Sequence, residues 1–195
     1  MKAYPELTGA LRTMLERMDA SLQKGGYTGE PIRMYLAGGL AVNYYCGTRY
    51  TEDVDASFSH RFILPKDLTV NYQRPDGRPA FIYFDRNYNT SFALLHEDFE
   101  HDSREWAGIG NEGRKIELRV LSPLDLAISK IDRFSPRDRE DILALAAERF
   151  FTDRQLRARA LEAVANFIGN KDTLLSAIEL VCQEVRRLQN RPTID

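Results

Sequence analysis

Cysteine is scarce in this 195-residue chain: Cys46 and Cys182 stand far apart. Two cysteines cannot staple a disulfide scaffold, and neither has the close cysteine or histidine neighbours that a zinc site needs. Histidine is as sparse, with His60, His96 and His101 and no HxH or HExxH spacing. Long apolar runs are missing, and nothing approaches the roughly 20 apolar residues of a membrane helix. The opening segment, MKAYPELTGALRTMLERMD, has acids among its first residues and no apolar stretch of the secretory kind. Neither charge sign dominates: 27 Lys and Arg face 29 Asp and Glu, for a net charge of -2. A dedicated nucleic-acid binder is usually basic, so tight non-specific binding of polyanions is not indicated. The expectation is a cytoplasmic protein without membrane partners, its cysteines buried as small hydrophobes.

What is present suits a folded core. Hydrophobic residues make up 43% of the chain and charged residues 29%, enough for one domain or one domain with an appendage. Leu7, Leu11, Met14, Leu15, Met18 and Leu22 recur at helical spacing and predict an amphipathic helix over 6–23. A strand is expected over 32–37, broken by Gly38-Gly39, then a short helix over 40–45 ending near Gly47. A second strand is read over 54–58 and a third over 80–84, with Pro75-Asp76-Gly77 as a turn ahead of it. Residues 86–113 carry no clear pattern, and the alternating KIELRVL of 115–121 reads as a strand after a turn at Asn111-Glu112-Gly113.

From Ser122 onward the pattern is helical. Ser122-Pro123-Leu124-Asp125 and Ser135-Pro136-Arg137-Asp138 each place a serine cap, a proline and an acid at the third position. Thr152-Asp153-Arg154-Gln155 is a variant, so helices should begin near 123, 136 and 153, with another near 172. The last should bury Leu175, Ile178, Val181, Cys182, Val185 and Leu188 on one face. The fold expected is α/β (α+β): a small mixed sheet flanked by helices over 1–133 and a helical region over 134–195.

The stretch LAGGLAVNYYCGTRYTEDVDASF, 36–58, concentrates the chemistry. Strand side chains at i and i+2 share a face, so Asp53 and Asp55 point to one place. Two adjacent carboxylates repel unless a cation lies between them. Mg²⁺ accepts carboxylate and phosphate oxygens together. Gly38 and Gly39 at a helix start let backbone N–H groups approach a phosphate. These parts describe a metal-nucleotide site.

Gly38-Gly39, thirteen intervening residues and Asp53-Val54-Asp55 resemble the motif of the nucleotidyltransferase superfamily. The lead-in Arg49-Tyr50-Thr51-Glu52-Asp53 is similar to the R-x-[ST]-x-D of its AbiEii-type toxin branch, and Lys130 followed by Arg137-Asp138 and Asp141 resembles that branch's downstream motif. The resemblance implies a two-metal phosphoryl transfer with Mg²⁺ or Mn²⁺ and an NTP substrate. Asp53 and Asp55 would hold metal, Gly38 and Gly39 would cradle phosphates, and Lys130, Arg137, Asp138, Asp141, Arg49 and Thr51 would serve the nucleotide. A third carboxylate is expected on a later strand. Glu117 is the first candidate and Asp85, after FIYF, its rival. The implied acceptor is a macromolecule, tRNA or protein, as for the toxin of a toxin–antitoxin pair. Alternatives are a catalytically weak nucleotide- or partner-binding module, or nucleotidyl transfer to a small antibiotic.

Other features are read as structural. His96, His60 and His101 are expected to be bland, and Trp106 to be core. Tyr83, Phe84, Tyr88 and Phe92 could stack a base but are explained by a core. The basic run Arg149, Arg154, Arg157 and Arg159 and the acidic run Glu97, Asp98, Glu100 and Asp102 are expected to be solvated.

Overall fold

The computed structural model describes residues 3–90 and 93–190, so Phe92 lies outside the described residues. Their fold is mixed α/β, with helices α1 (Pro5–Lys24), α2 (Gly38–Cys46), α3 (Phe99–Asp102), α4 (Pro123–Ile128), α5 (Pro136–Ala147), α6 (Asp153–Ala163) and α7 (Lys171–Gln189). Strands are β1 (Ile32–Leu36), β2 (Asp53–Val54), β3 (Ala56–Phe58), β4 (Thr69–Gln73), β5 (Pro79–Phe84), β6 (Arg104–Glu105) and β7 (Ile116–Val120). None of the described helices is long and apolar enough to cross a membrane. The chain forms two compact units, one of residues up to 88 with 103–120, the other of 89–102 with the chain from 121. Residues 121–133, grouped with the sheet in the sequence reading, thus fall with the helices.

The first unit holds both sheets. One has the order β3-β1-β7-β6, with β1 and β7 parallel and the outer pairs antiparallel. The other has the order β2-β5-β4, with β2 parallel and β4 antiparallel to β5. The strand expected over 54–58 is therefore two strands, interrupted at Asp55 and paired in different sheets. Helix α1 buries Leu7, Leu11, Met14, Leu15, Met18 and Leu22, as its spacing predicts, and packs on β4 and β7. Helix α2 begins at Gly38, earlier than expected, and is buried almost all round, as befits a helix of mean apolar character. The unassigned region contributes α3, β6 and the core residue Trp106, whose indole N–H donates to Thr8 Oγ1 at 3.3 Å.

The second unit starts its helices where the caps predicted. Ser135 with Asp138 and Thr152 with Gln155 form full capping boxes. Ser122 accepts from Asp125 N–H and donates to the Asp125 carboxylate. Helix α4 stops at Ile128, so Lys130 lies in the turn that follows rather than on the helix. Helix α7 buries Leu174, Ile178, Val181, Cys182 and Val185, whereas Leu175 is exposed and Leu188 half-buried. The expected face was correct through its middle turns and misplaced by one residue at its start. Burial pushes the Cys182 thiol up to about 11, and Cys46 is buried as well.

One carboxylate ties α1 to the sheet. Asp19 accepts the N–H groups of Lys115 at 2.9 Å and Ile116 at 2.7 Å, and the Arg114 guanidinium at 3.0 Å. The two backbone N–H groups are the donors at the start of β7. Asp19→Ala should leave them unpartnered and lower stability by about 2 kcal/mol. Asp19→Asn, which keeps an acceptor, should cost clearly less. Urea unfolding of both variants against the wild type reads the difference.

Candidate active site

The site begins where β1 ends. Ala37 is extended at the N-cap of α2, with no side-chain cap and no acid in the first turn. The first N–H groups of such a helix lack intrahelical partners and carry the positive end of its dipole. Gly38 has φ +62, a conformation that side chains rarely adopt. A Cβ there would also sit 2.7 Å from Asp55 Cγ. A Cβ on Gly39 would meet Arg49 Cζ and Nε at 2.8 Å. The glycines thus admit the Asp55 carboxylate and the Arg49 guanidinium against the start of the helix.

The acids gather on the solvent face of the β2-β5-β4 sheet. Val54 and Ala56 point into the core, while Asp53 and Asp55 alternate outward and remain half-exposed. On β5, Ala80, Ile82 and Phe84 are buried, and Phe81 and Tyr83 are exposed. Asp53 pairs with Tyr83 and Val54 with Phe84. The ladder continues through the Asp85 N–H, which donates to Val54 C=O at 3.1 Å. The pairing ends there, and Asp55 and Asp85 are the residues that follow on the two strands. The charge of Asp53, then partial burial, then the charges of Asp85, Asp55 and Glu52 push the Tyr83 phenol above its usual value. Tyr83 thus lies in the field of Asp53, Asp85, Asp55 and Glu52. Thr51 Oγ1 lies 3.4 Å from Asp53 Oδ1, and Asp85 Oδ1 accepts the Asn87 N–H at 2.8 Å.

Glu117 is not brought to this group. Its strand partner is Arg33, which it also meets as an ion pair at 3.8 Å. Asp55, in contrast, accepts the Ala37 N–H through its carbonyl at 2.8 Å. Ala37 lies four residue steps beyond Arg33, about 13 Å along the strand. Asp85, the rival, follows directly on β5, the strand that pairs with Asp53 and Val54. Sequence alternation showed Glu117 to be half-exposed but could not show its register against β1. Among the described residues no three acidic, histidine or cysteine side chains form a ready-made metal cage. Mg²⁺ takes one or two carboxylates and completes its shell with substrate phosphates and water. Asp53 and Asp55 are hard oxygen donors of the type it accepts.

The second unit holds the downstream motif as a buried ion network. Lys130 Nζ lies 2.8 Å from Asp141 Oδ2 and 3.5 Å from Asp138 Oδ1, and all three residues are buried. Arg133 grips Asp138 with two hydrogen bonds of 2.8 Å. Burial raises the Asp138 carboxyl, but Arg133, Ser135 and Lys130 outweigh it and hold the group well below the usual carboxylate range. Arg137 of the same motif is exposed.

The features read as structural are mostly so. Arg159 is sunk between Asp125 and Asp102, and Arg157 pairs with Glu179, which leaves that basic run poorly suited to a polyanion. Asp102 of the acidic run is thereby an ion-pair partner rather than a solvated loop residue. His96 is buried and accepts the Asp98 N–H, while His60 and His101 are exposed. Phe84 is core, but Tyr83 is 38% exposed, and Phe81, which the sequence reading did not single out, is 37% exposed.

Asp138→Asn should destabilise the protein by about 3 kcal/mol at pH 7, because it removes the buried anion that Arg133 grips and Lys130 shares. A carboxyl held low in the folded state contributes stability above its unfolded value of about 3.9, and loses it as pH falls through the folded value. The gap between wild type and variant should therefore narrow below about pH 4, as read by chemical denaturation at stepped pH.

No curated protein and no solved structure matches the chain. Residues 13–174 match a protein family described as "Nucleotidyltransferase of unknown function (DUF6036)". The match takes in both the 38–55 segment and the 130–141 segment, and supports the superfamily read from their motifs. The chain belongs to this family of nucleotidyltransferases.

Proposed function

We propose that the protein is a metal-dependent nucleotidyltransferase that moves a nucleoside monophosphate from an NTP to a hydroxyl of a macromolecular acceptor, tRNA or protein. The observation that carries this reading is the placing of Asp53 and Asp55, with Asp85 at the end of the paired strand, beside a glycine-built helix start. Asp53 and Asp55, with Asp85, would hold Mg²⁺ or Mn²⁺, which supplies charge neutralisation of the triphosphate when bound. Asp85 takes the place first given to Glu117.

The chain's own residues do the positioning. The first N–H groups of α2 at Gly38 and Gly39 face the phosphates, and Arg49 adds a cation at the same helix start. Thr51 orients Asp53 through its hydroxyl. Asp85 is the carboxylate suited to accept the proton of the attacking hydroxyl, which would displace pyrophosphate in line. Lys130, Arg137, Asp138 and Asp141 are assigned to the nucleotide in this proposal by motif resemblance alone. The AbiEii-type toxin role, with an antitoxin as partner, rests on the lead-in 49–53 and the 130–141 motif alone.

The test is labelling. The protein is incubated with each α-labelled NTP, Mg²⁺ or Mn²⁺, total RNA and lysate protein. Label should enter RNA or protein and fall at least about 100-fold in Asp55→Asn and Asp85→Asn, with Glu117→Gln little changed. Loss in Glu117→Gln alone would return the third carboxylate to that strand. Metal-dependent NTP binding without transfer in any lane would leave a binding module or a small-molecule acceptor.

A further inference from the structure

We infer that Asn43, buried in the middle of α2, is a positioning residue that holds the Arg49 guanidinium against the start of that helix, where it serves the substrate triphosphate. The inference rests on the nucleotidyltransferase reading and deepens it by naming what fixes the phosphate-facing cation.

Asn43 is out of character with its surroundings. Helix α2 reads GGLAVNYYC and is buried almost all round, and Asn43 is its one amide or charged side chain. The residue is 1% exposed. Its Oδ1 has no hydrogen-bond partner among the described residues. A buried acceptor left unpaired costs stability, and an apolar side chain of similar shape avoids that cost. Core packing therefore does not account for an asparagine here.

The satisfied half of the amide points to Arg49. Asn43 Nδ2 donates to the Arg49 carbonyl. The Asn43 carbonyl accepts the Gly47 N–H at 2.8 Å, and Gly47 ends α2 in the left-handed conformation at φ +69. One residue thus holds both ends of the turn 47–49. The next residue is held too. Tyr50 stacks on Tyr4, with centroids 5.6 Å apart and planes within 17°, and Arg74 Cζ lies 4.3 Å from the Tyr50 ring centroid.

From this fixed backbone the Arg49 side chain reaches back to Gly39, where an added Cβ would meet Cζ and Nε at 2.8 Å. Asn43 stands four residues after Gly39, so both lie on one face of α2. That face carries the glycine that receives the guanidinium and the amide that holds its backbone. A long, many-rotamer side chain loses entropy when it is ordered. A cation already fixed before the phosphate arrives spares that loss at binding.

The experiment uses the full chain and two probes, inorganic tripolyphosphate and each NTP, with Mg²⁺ in excess and binding read by titration calorimetry. Asn43→Leu removes the donor and the unpaired acceptor together at similar volume. It should weaken both probes about tenfold, as should Arg49→Gln, while its melting temperature stays level with the wild type or rises. The double variant should be no weaker than either single one, because the amide acts through the arginine. In the transfer assay the loss should appear in the KM for NTP rather than in kcat. Asn43→Ala, a second variant, should repeat the affinity loss. Binding unchanged in both Asn43 variants, losses that add in the double variant, or an affinity that falls only with the melting temperature overturns the inference and leaves the enzyme. No binding of any NTP by the wild type sinks the nucleotidyltransferase reading, and the inference with it.

Discussion

The segment 53–58 belongs to two sheets at once, and the site depends on that division. Its first two residues pair with β5 and its last three with β1. Between them Asp55 gives its carbonyl to Ala37 N–H, while Val54 gives its own to Asp85 N–H. One short stretch of backbone thus fixes the glycines of the β1–α2 junction on one flank and Asp85 on the other. Shifting its register by one residue would turn both aspartates into the core and Val54 outward.

The glycines follow from the same constraint. Asp55 reaches over the start of α2, where Gly38 has a left-handed φ and no room for a side chain, and the Arg49 guanidinium lies against Gly39. The start of the helix thus receives one carboxylate and one guanidinium. The second unit solves a different problem. Lys130, Asp138 and Asp141 are buried and stable only as a mutually neutralised set, with the Ser135 capping box and Arg133 holding Asp138 in place. Removing one member leaves an uncompensated charge, so these residues bear on folding whatever they do for the nucleotide.

Much of this was legible in the residues. The α1 stripe, the proline-serine caps and the Asp-x-Asp spacing are local patterns, set by periods of 3.6 and 2 and by capping chemistry. The errors were of register and reach. KIELRVL announces a strand with Glu117 outward, yet only its alignment with β1 shows that Glu117 meets Arg33 instead of Asp55. Phe81 in PAFIYF looks like core from its neighbours, because five of those six residues are apolar and the strand's exposed face has no charge to reveal it.

The sequence by itself determined the main helices, their caps and the Asp53–Asp55 spacing, since each depends on residues within a few positions of one another. The family, too, is carried by motif spacing. Tertiary structure alone decided that Asp85 N–H meets the Val54 carbonyl, that Lys130 is buried between two carboxylates, and that two aromatics of β5 face solvent. Those outcomes depend on strand order, register and burial, which bring together groups that are distant in the chain and leave no local signal.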